Sequence, residues 1–310
     1  MIHHERVKPP SRDYPGDEWS LIEKRFRPEF LAQTEALVAL GNGYLGMRGN
    51  PEEGGPSIQN GTFINGFYES WPITYGEEAY GFARTGQTMV NVTDGKVVKL
   101  FVDDEPFWLP NAHLLQYERR LNMKSGTLDR DILWETRSGT RVRIRSRRLV
   151  SLRQRHVAAM SYEVTIVNAA ASVVISSEMH VGQSGSQERG DDPRLAKRFP
   201  GKILQPRAHV VRDQRIVLVH ETERTRLTLA CGMDHHVDGD VPYRSSTEHT
   251  EDSGRVVFAM DAPRGSTVRL TKLLTYHTSG VATADELRHR AEWTLDRVVG
   301  QGFSQLLTEQ

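Results

Sequence analysis

The side chains most able to do chemistry fall into separate groups. Asp234-His235-His236-Val237-Asp238-Gly239-Asp240 is the densest run of ligand-capable residues. Imidazole and carboxylate donors at these spacings could hold a divalent cation. The run has no H-E-x-x-H pattern and no cysteine pair, and its Asp-Gly-Asp end has turn composition, so a solvated hairpin loop is the better reading. Glu52, Glu53, Glu69, Glu77 and Glu78 could supply paired carboxyls for glycosidic chemistry, which needs two of them facing each other across a cleft. Spacing along the chain does not set that separation, and these glutamates read as loop charges. Arg141 to Arg155 holds seven arginines and no acidic residue, a composition that could neutralise phosphates. Four of the seven alternate along one strand and no aromatic rings interleave for base stacking, which favours a solvated face with salt-bridge partners. The single cysteine, Cys231, follows an apolar run and reads as a small buried residue; there is no G-x-S-x-G elbow. On these grounds no residue is assigned a catalytic, cofactor-binding or metal-binding role.

Two further stretches bear on ligands. Phe63, Phe67, Tyr68, Trp71, Tyr75, Tyr80 and Phe82 are interleaved with glycines over residues 51 to 95. Such rings can stack on sugars, so they could line a carbohydrate subsite, or they fill a sandwich end or an interface. Gly41-Asn42-Gly43-Tyr44-Leu45-Gly46-Met47-Arg48-Gly49-Asn50 contains a formal G-x-G-x-x-G. A dinucleotide turn must open a helix, yet Met47 leads into Gly49, Pro51, Gly54, Gly55 and Pro56, which break helices. The stretch therefore predicts a turn between strands, with its four glycines supplying positive φ or close backbone approach.

The elements that must position these residues are mostly strands. Residues 1 to 18 read as a polar lead-in arm, and Trp19 to Phe26 as a first strand ending at Pro28. From residue 96 the period is two: Val98, Leu100 and Val102 alternate with Lys99, Phe101 and Asp103. Val142 and Ile144 oppose Arg141, Arg143, Arg145 and Arg147 in the same way. Further strands are expected at Val157 to Val167, Val173 to Ser176, His209 to Val211, Ile216 to His220, Leu227 to Ala230, Val256 to Met260 and Val268 to Tyr276. Gly182 to Pro206, with Asp191-Asp192-Pro193, predicts a long surface loop. After Gly280 the pattern changes. Thr283 and Glu286 form a capping box, and Ala284, Leu287, Ala291, Leu295 and Val298 make one helical stripe that Gly300 should end. A second helix starting at Phe303 breaks off at Gln310. That ending predicts either a chain shorter than its natural length or a helix that packs on a further domain.

Balanced charge, 40 basic against 40 acidic residues, gives bulk electrostatics no preference for nucleic acid or an anionic membrane. One cysteine excludes an internal disulfide framework and fits a reducing compartment, with the cytoplasm the simplest. No run approaches the ~18 apolar residues of a membrane span.

Ordered segments over most of the chain resemble glycoside hydrolase family 65, the maltose, trehalose and kojibiose phosphorylases and related trehalases. They are Trp19-Ser20-Leu21, Glu35 to Gly49, Gly61 to Glu69, Arg120 to Leu128 with Arg130 and Trp134, and Tyr276-His277-Thr278. Asn122 stands where that family usually shows aspartate. The resemblance implies an all-β fold, a large antiparallel sandwich of the galactose-mutarotase-like type over residues 1–280. One or two linker helices over 281–310 would then lead to an (α/α)6 catalytic barrel outside this chain. The family's general acid and phosphate-binding residues lie in that barrel, so no position here is matched to them. The resemblance also implies an α-linked disaccharide as substrate, inorganic phosphate as co-substrate with no other cofactor, and a homodimer. The alternative is a self-standing carbohydrate-binding or interaction protein.

Overall fold

The computed structural model describes residues 8–77, 79–182 and 202–310. In chain order the strands are β1 (Gly16–Asp17), β2 (Ser20–Glu23), β3 (Leu40–Gly41), β4 (Leu45–Met47), β5 (Thr62–Ile64), β6 (Tyr68–Pro72), β7 (Thr85–Met89), β8 (Asp94–Val102), β9 (Glu105–Pro106) and β10 (His113–Asn122). They continue with β11 (Thr127–Glu135), β12 (Arg141–Val150), β13 (Val157–Ile166), β14 (Ala171–His180), β15 (Leu204–Arg212), β16 (Arg215–Thr222), β17 (Thr228–Asp238), β18 (Tyr243–His249), β19 (Ser253–Ala262) and β20 (Thr267–Ser279). Two α-helices accompany them, α1 (Leu31–Leu37) and α2 (Ala284–Thr308).

Alternating side chains dictate the layers. A ten-stranded antiparallel sheet runs β1-β2-β10-β11-β12-β13-β20-β17-β16-β15, and a five-stranded sheet runs β18-β19-β14-β8-β9. Between them lies the main core, with Trp134, Tyr162, Phe258, Leu100 and Ile175 almost wholly buried. This is the expected all-β sandwich. A second core lies on the outer face of the large sheet, where Leu149, Val157, Val217, Val219 and Leu273 meet Leu287, Ala291, Leu295, Val298 and Leu306 of α2. Burying each such leucine or valine contributes about 1.5–3 kcal/mol, far more than the helix's own propensity. Gly232 on β17 permits the close approach, since a Cβ there would lie 2.9 Å from Leu295 Cδ1. Thr283 caps α2 by accepting a hydrogen bond from the Glu286 amide at 3.2 Å, as its capping box predicts.

Several expectations need correction. Helix α1 was not foreseen: Leu31 to Leu37 are good helix formers, but seven residues show too little periodicity to reveal themselves. The strand expected from Trp19 to Phe26 is only β2, Ser20–Glu23, and β1 falls inside the expected lead-in arm. The first helical run of α2 passes Gly300 by one residue and breaks at Gly302, at φ 71° and ψ 171°; the second helix expected from Phe303 follows it, to Thr308. Beyond the kink Leu306 is fully buried, so this second pattern packs on the sandwich itself. The loop expected from Gly182 yields to β15 at Leu204, and Asp191-Asp192-Pro193 lies outside the described residues.

Candidate functional site

The outer face of the large sheet is only half covered by α2. Beside the helix, the strand register sets outward side chains in two rows. One reads Arg120, Asp129, Arg147, Ser161, Thr271 and His236 across β10, β11, β12, β13, β20 and β17. Two residues along each strand, the other reads Glu118, Asp131, Arg145, Glu163, Arg269 and Asp238. Neighbours in a row stand one strand spacing apart, about 4.8 Å. These rows floor a groove of about 880 Å³, a size typical of small-molecule sites. Its other wall is the kinked end of α2, with Val299, Phe303 and Leu307 beside the bare backbone of Gly300 and Gly302.

Most ions on the floor already have partners. Arg147 pairs with Asp129, Arg143 with Asp131 at 2.6 Å, and Arg269 with Glu163 at 2.7 Å. Arg145 is held loosely, 3.6 Å from both Asp131 and Glu163, beyond the length of a good hydrogen bond. On the floor five carboxylates face four guanidiniums. The predicted solvated arginine face with salt-bridge partners is therefore present. His236 Nε2 donates to Asp238 Oδ1 across 2.9 Å at the rim.

The inward side chains of the same strands are charged too. Arg130 on β11 makes two bonds to Glu53 at 2.9 and 2.7 Å and pairs with Glu52 at 3.1 Å. Ser146 donates to Glu52 at 3.1 Å, Arg119 donates to the Gly49 carbonyl at 2.7 Å, and Arg148 donates to the Asn50 carbonyl at 3.2 Å. Three strands thus clamp the segment that follows the glycine-rich turn. Burial would neutralise Glu52, but Arg130 and Arg148 outweigh it and hold its carboxyl below the usual range. Burial would likewise strip the proton from Arg130, and Glu52 and Glu53 reverse that, keeping it charged. Burial pushes Glu53 up despite its two bonds to Arg130.

The expected loop charges are thus relocated: Glu52, Glu53 and Glu69 are buried. Glu69 accepts the Arg224 and Thr225 amides at 2.9 and 3.1 Å. Glu77 is exposed, and Glu78 lies outside the described residues. The Asp234–Asp240 run is not a loop. It is β17 as far as Asp238, so its side chains point to opposite faces. Asp234 pairs with Arg215 at 2.7 Å, while His235 turns inward to Ser177 Oγ at 2.8 Å. Burial pushes the His235 imidazole down to about 3, so it stays neutral. Among the described residues no group of three or more His, Cys, Asp or Glu converges on a common point. Cys231 is buried, which raises its thiol to about 12 and keeps it unreactive.

The aromatic stretch separates as well. Phe67 is core, whereas Tyr80 and Phe82 are exposed beside the β6–β7 hairpin, and neither ring lines the groove. The Gly41–Asn50 turn is a β3–β4 hairpin with no helix after it. Gly43 has φ +84°, and a Cβ on Gly49 would lie 2.9 Å from the Val38 carbonyl oxygen; Gly46 has open space and no positive φ, so its presence has no steric reason. Asn122 accepts the Lys124 and Ser125 amides at 3.0 and 3.2 Å. That turn role suits asparagine or aspartate alike.

A family profile described as glycosyl hydrolase family 65, N-terminal domain, matches residues 21–310. The chain belongs to glycosyl hydrolase family 65. An alpha,alpha-trehalose phosphorylase of Thermoanaerobacter brockii is 34% identical to this family 65 domain over 301 residues, covering 96% of it and 39% of that protein. An uncharacterized glycosyl hydrolase of Mycobacterium tuberculosis is 35% identical over 297 residues, covering 96% and 38%. A solved human-microbiome structure whose name proposes a kojibiose phosphorylase superposes with TM-score 0.82 at 19% identity, over 98% of this chain and 38% of that one. At that identity the likeness shows the fold. The chain spans under two-fifths of the length of each of these relatives. Among the described residues no helix is long and apolar enough to cross a membrane.

Proposed function

We propose that this chain is the non-catalytic N-terminal module of an inverting phosphorylase or hydrolase acting on α-glucosidic disaccharides. The observation that carries the reading is the family match over residues 21–310. In this reading residues 1–280 are the sandwich and 281–310 the linker to an (α/α)6 barrel. There a carboxylic acid protonates the leaving oxygen, while phosphate or water attacks the anomeric carbon. The module contributes packing and dimer contacts in a cytoplasmic enzyme.

The chemistry of the described carboxylates supports this division. Glu52 and Glu53 are committed to Arg130, and Glu69 to three backbone amides. None of the three is free to protonate a leaving group. A chimera provides the test. In it, this chain replaces the corresponding N-terminal segment of the Thermoanaerobacter trehalose phosphorylase. A compact chimera that releases glucose 1-phosphate from trehalose is expected. A chimera whose two parts fold yet tumble independently would overturn the reading.

A further inference from the structure

The groove between the charged floor and the kink of α2 has two unlike walls. One presents paired guanidiniums and carboxylates with the hydroxyls of Ser161 and Thr271; the other presents Val299, Phe303 and Leu307. We propose that this groove binds a neutral oligosaccharide, with hydroxyls on the floor and the C–H face of a ring against Phe303 and Leu307.

Charge decides the ligand class. An anion would meet five carboxylates among four guanidiniums, and a cation would have to displace arginines already paired. Either would break existing pairs to make new ones. A neutral polyol breaks none, because a paired carboxylate keeps free lone pairs and a paired guanidinium keeps free N–H groups. Hydrogen bonds to charged partners are also the stronger kind. Arg145 is the best-placed donor: it is half exposed and sits 3.6 Å from each of its two carboxylates, so its N–H groups are not saturated. The Gly302 kink matters too. The backbone bends there without a side chain, and nothing lies within 4 Å of where a Cβ would project. The apolar residues beyond the bend thereby form a wall beside the floor.

The inference needs only the groove and not the module reading, so the two fail separately. Titration of the 310-residue chain with maltotriose and maltotetraose, followed by NMR shifts or calorimetry, tests it. Saturable binding in the millimolar range is expected, weakened about tenfold by Arg145→Ala. Because Arg145 is solvent-facing, that variant should keep its thermal midpoint. Tyr80→Ala, in the exposed aromatic stretch, should bind as the unaltered chain does. Lack of saturable binding, binding indifferent to Arg145→Ala, or binding lost with Tyr80→Ala would each overturn the proposal. A steep fall of affinity with salt would point to an ionic ligand and would equally overturn it.

Discussion

Arg130 shows how much a single buried charge can organise. It lies 77 positions from Glu53 in sequence, yet the two make a bidentate pair, with Glu52 on the same guanidinium. Removing it strands two carboxylates away from water. Arg130→Ala should therefore lower unfolding stability by about 3–5 kcal/mol, read from the denaturant midpoint at constant slope. An unchanged midpoint would show that the glutamates find other partners. Nothing local announced this pairing. Glu52 and Glu53 sit between Pro51 and Gly54, where acidic residues are usually solvated, and β10 and β11 carry charge on both faces, which blurs the period-two signal. Arg148 was equally hidden: it falls on the inward face of β12 as the alternation from Val142 and Ile144 requires, but arginine seldom occupies such a place.

At the scale of elements, the junction of β20 with α2 carries a pH-sensitive contact. His277 on β20 shares a hydrogen bond of 2.9 Å with Thr294 Oγ1 on α2, and its ring stacks on His156 at 4.1 Å. Burial, then His156 and the arginines Arg290, Arg297 and Arg155, push the His277 imidazole down to about 3. An unfolded histidine titrates near 6.5, so between about 6.5 and 3 the unfolded chain binds the extra proton. Stability must fall as pH drops through that window, by about 2 kcal/mol at pH 5 from this residue alone. His277→Gln, which cannot titrate, should flatten the loss between pH 7 and 5. Identical slopes for the two proteins would contradict the assignment. The helix itself was legible in its capping box and stripe. So was a sign of what it covers: Ile216-Val217-Leu218-Val219 is an unbroken apolar run, as expected of a strand buried on both faces. Helix α1 and the solvated edge strand β18 were not legible, the first for its length and the second because its side chains are nearly all exposed.

The molecule as a whole is a sandwich with one face overlaid by a helix and the rest of that face left as a charged floor. Its fold and family were readable because many ordered segments agree, from Trp19 to Thr278, and no one of them had to be specific. Its groove was not readable, since the two rows of side chains come from six strands that only the sheet order brings together. In the proposed reading these residues do not themselves cleave glycosidic bonds. The most direct measurement is glucose 1-phosphate and glucose release by the purified 310-residue chain from maltose, trehalose and kojibiose, with and without phosphate. No turnover above the protein-free control is predicted for any of the three. Turnover by this chain alone would contradict the account and place the chemistry inside the sandwich.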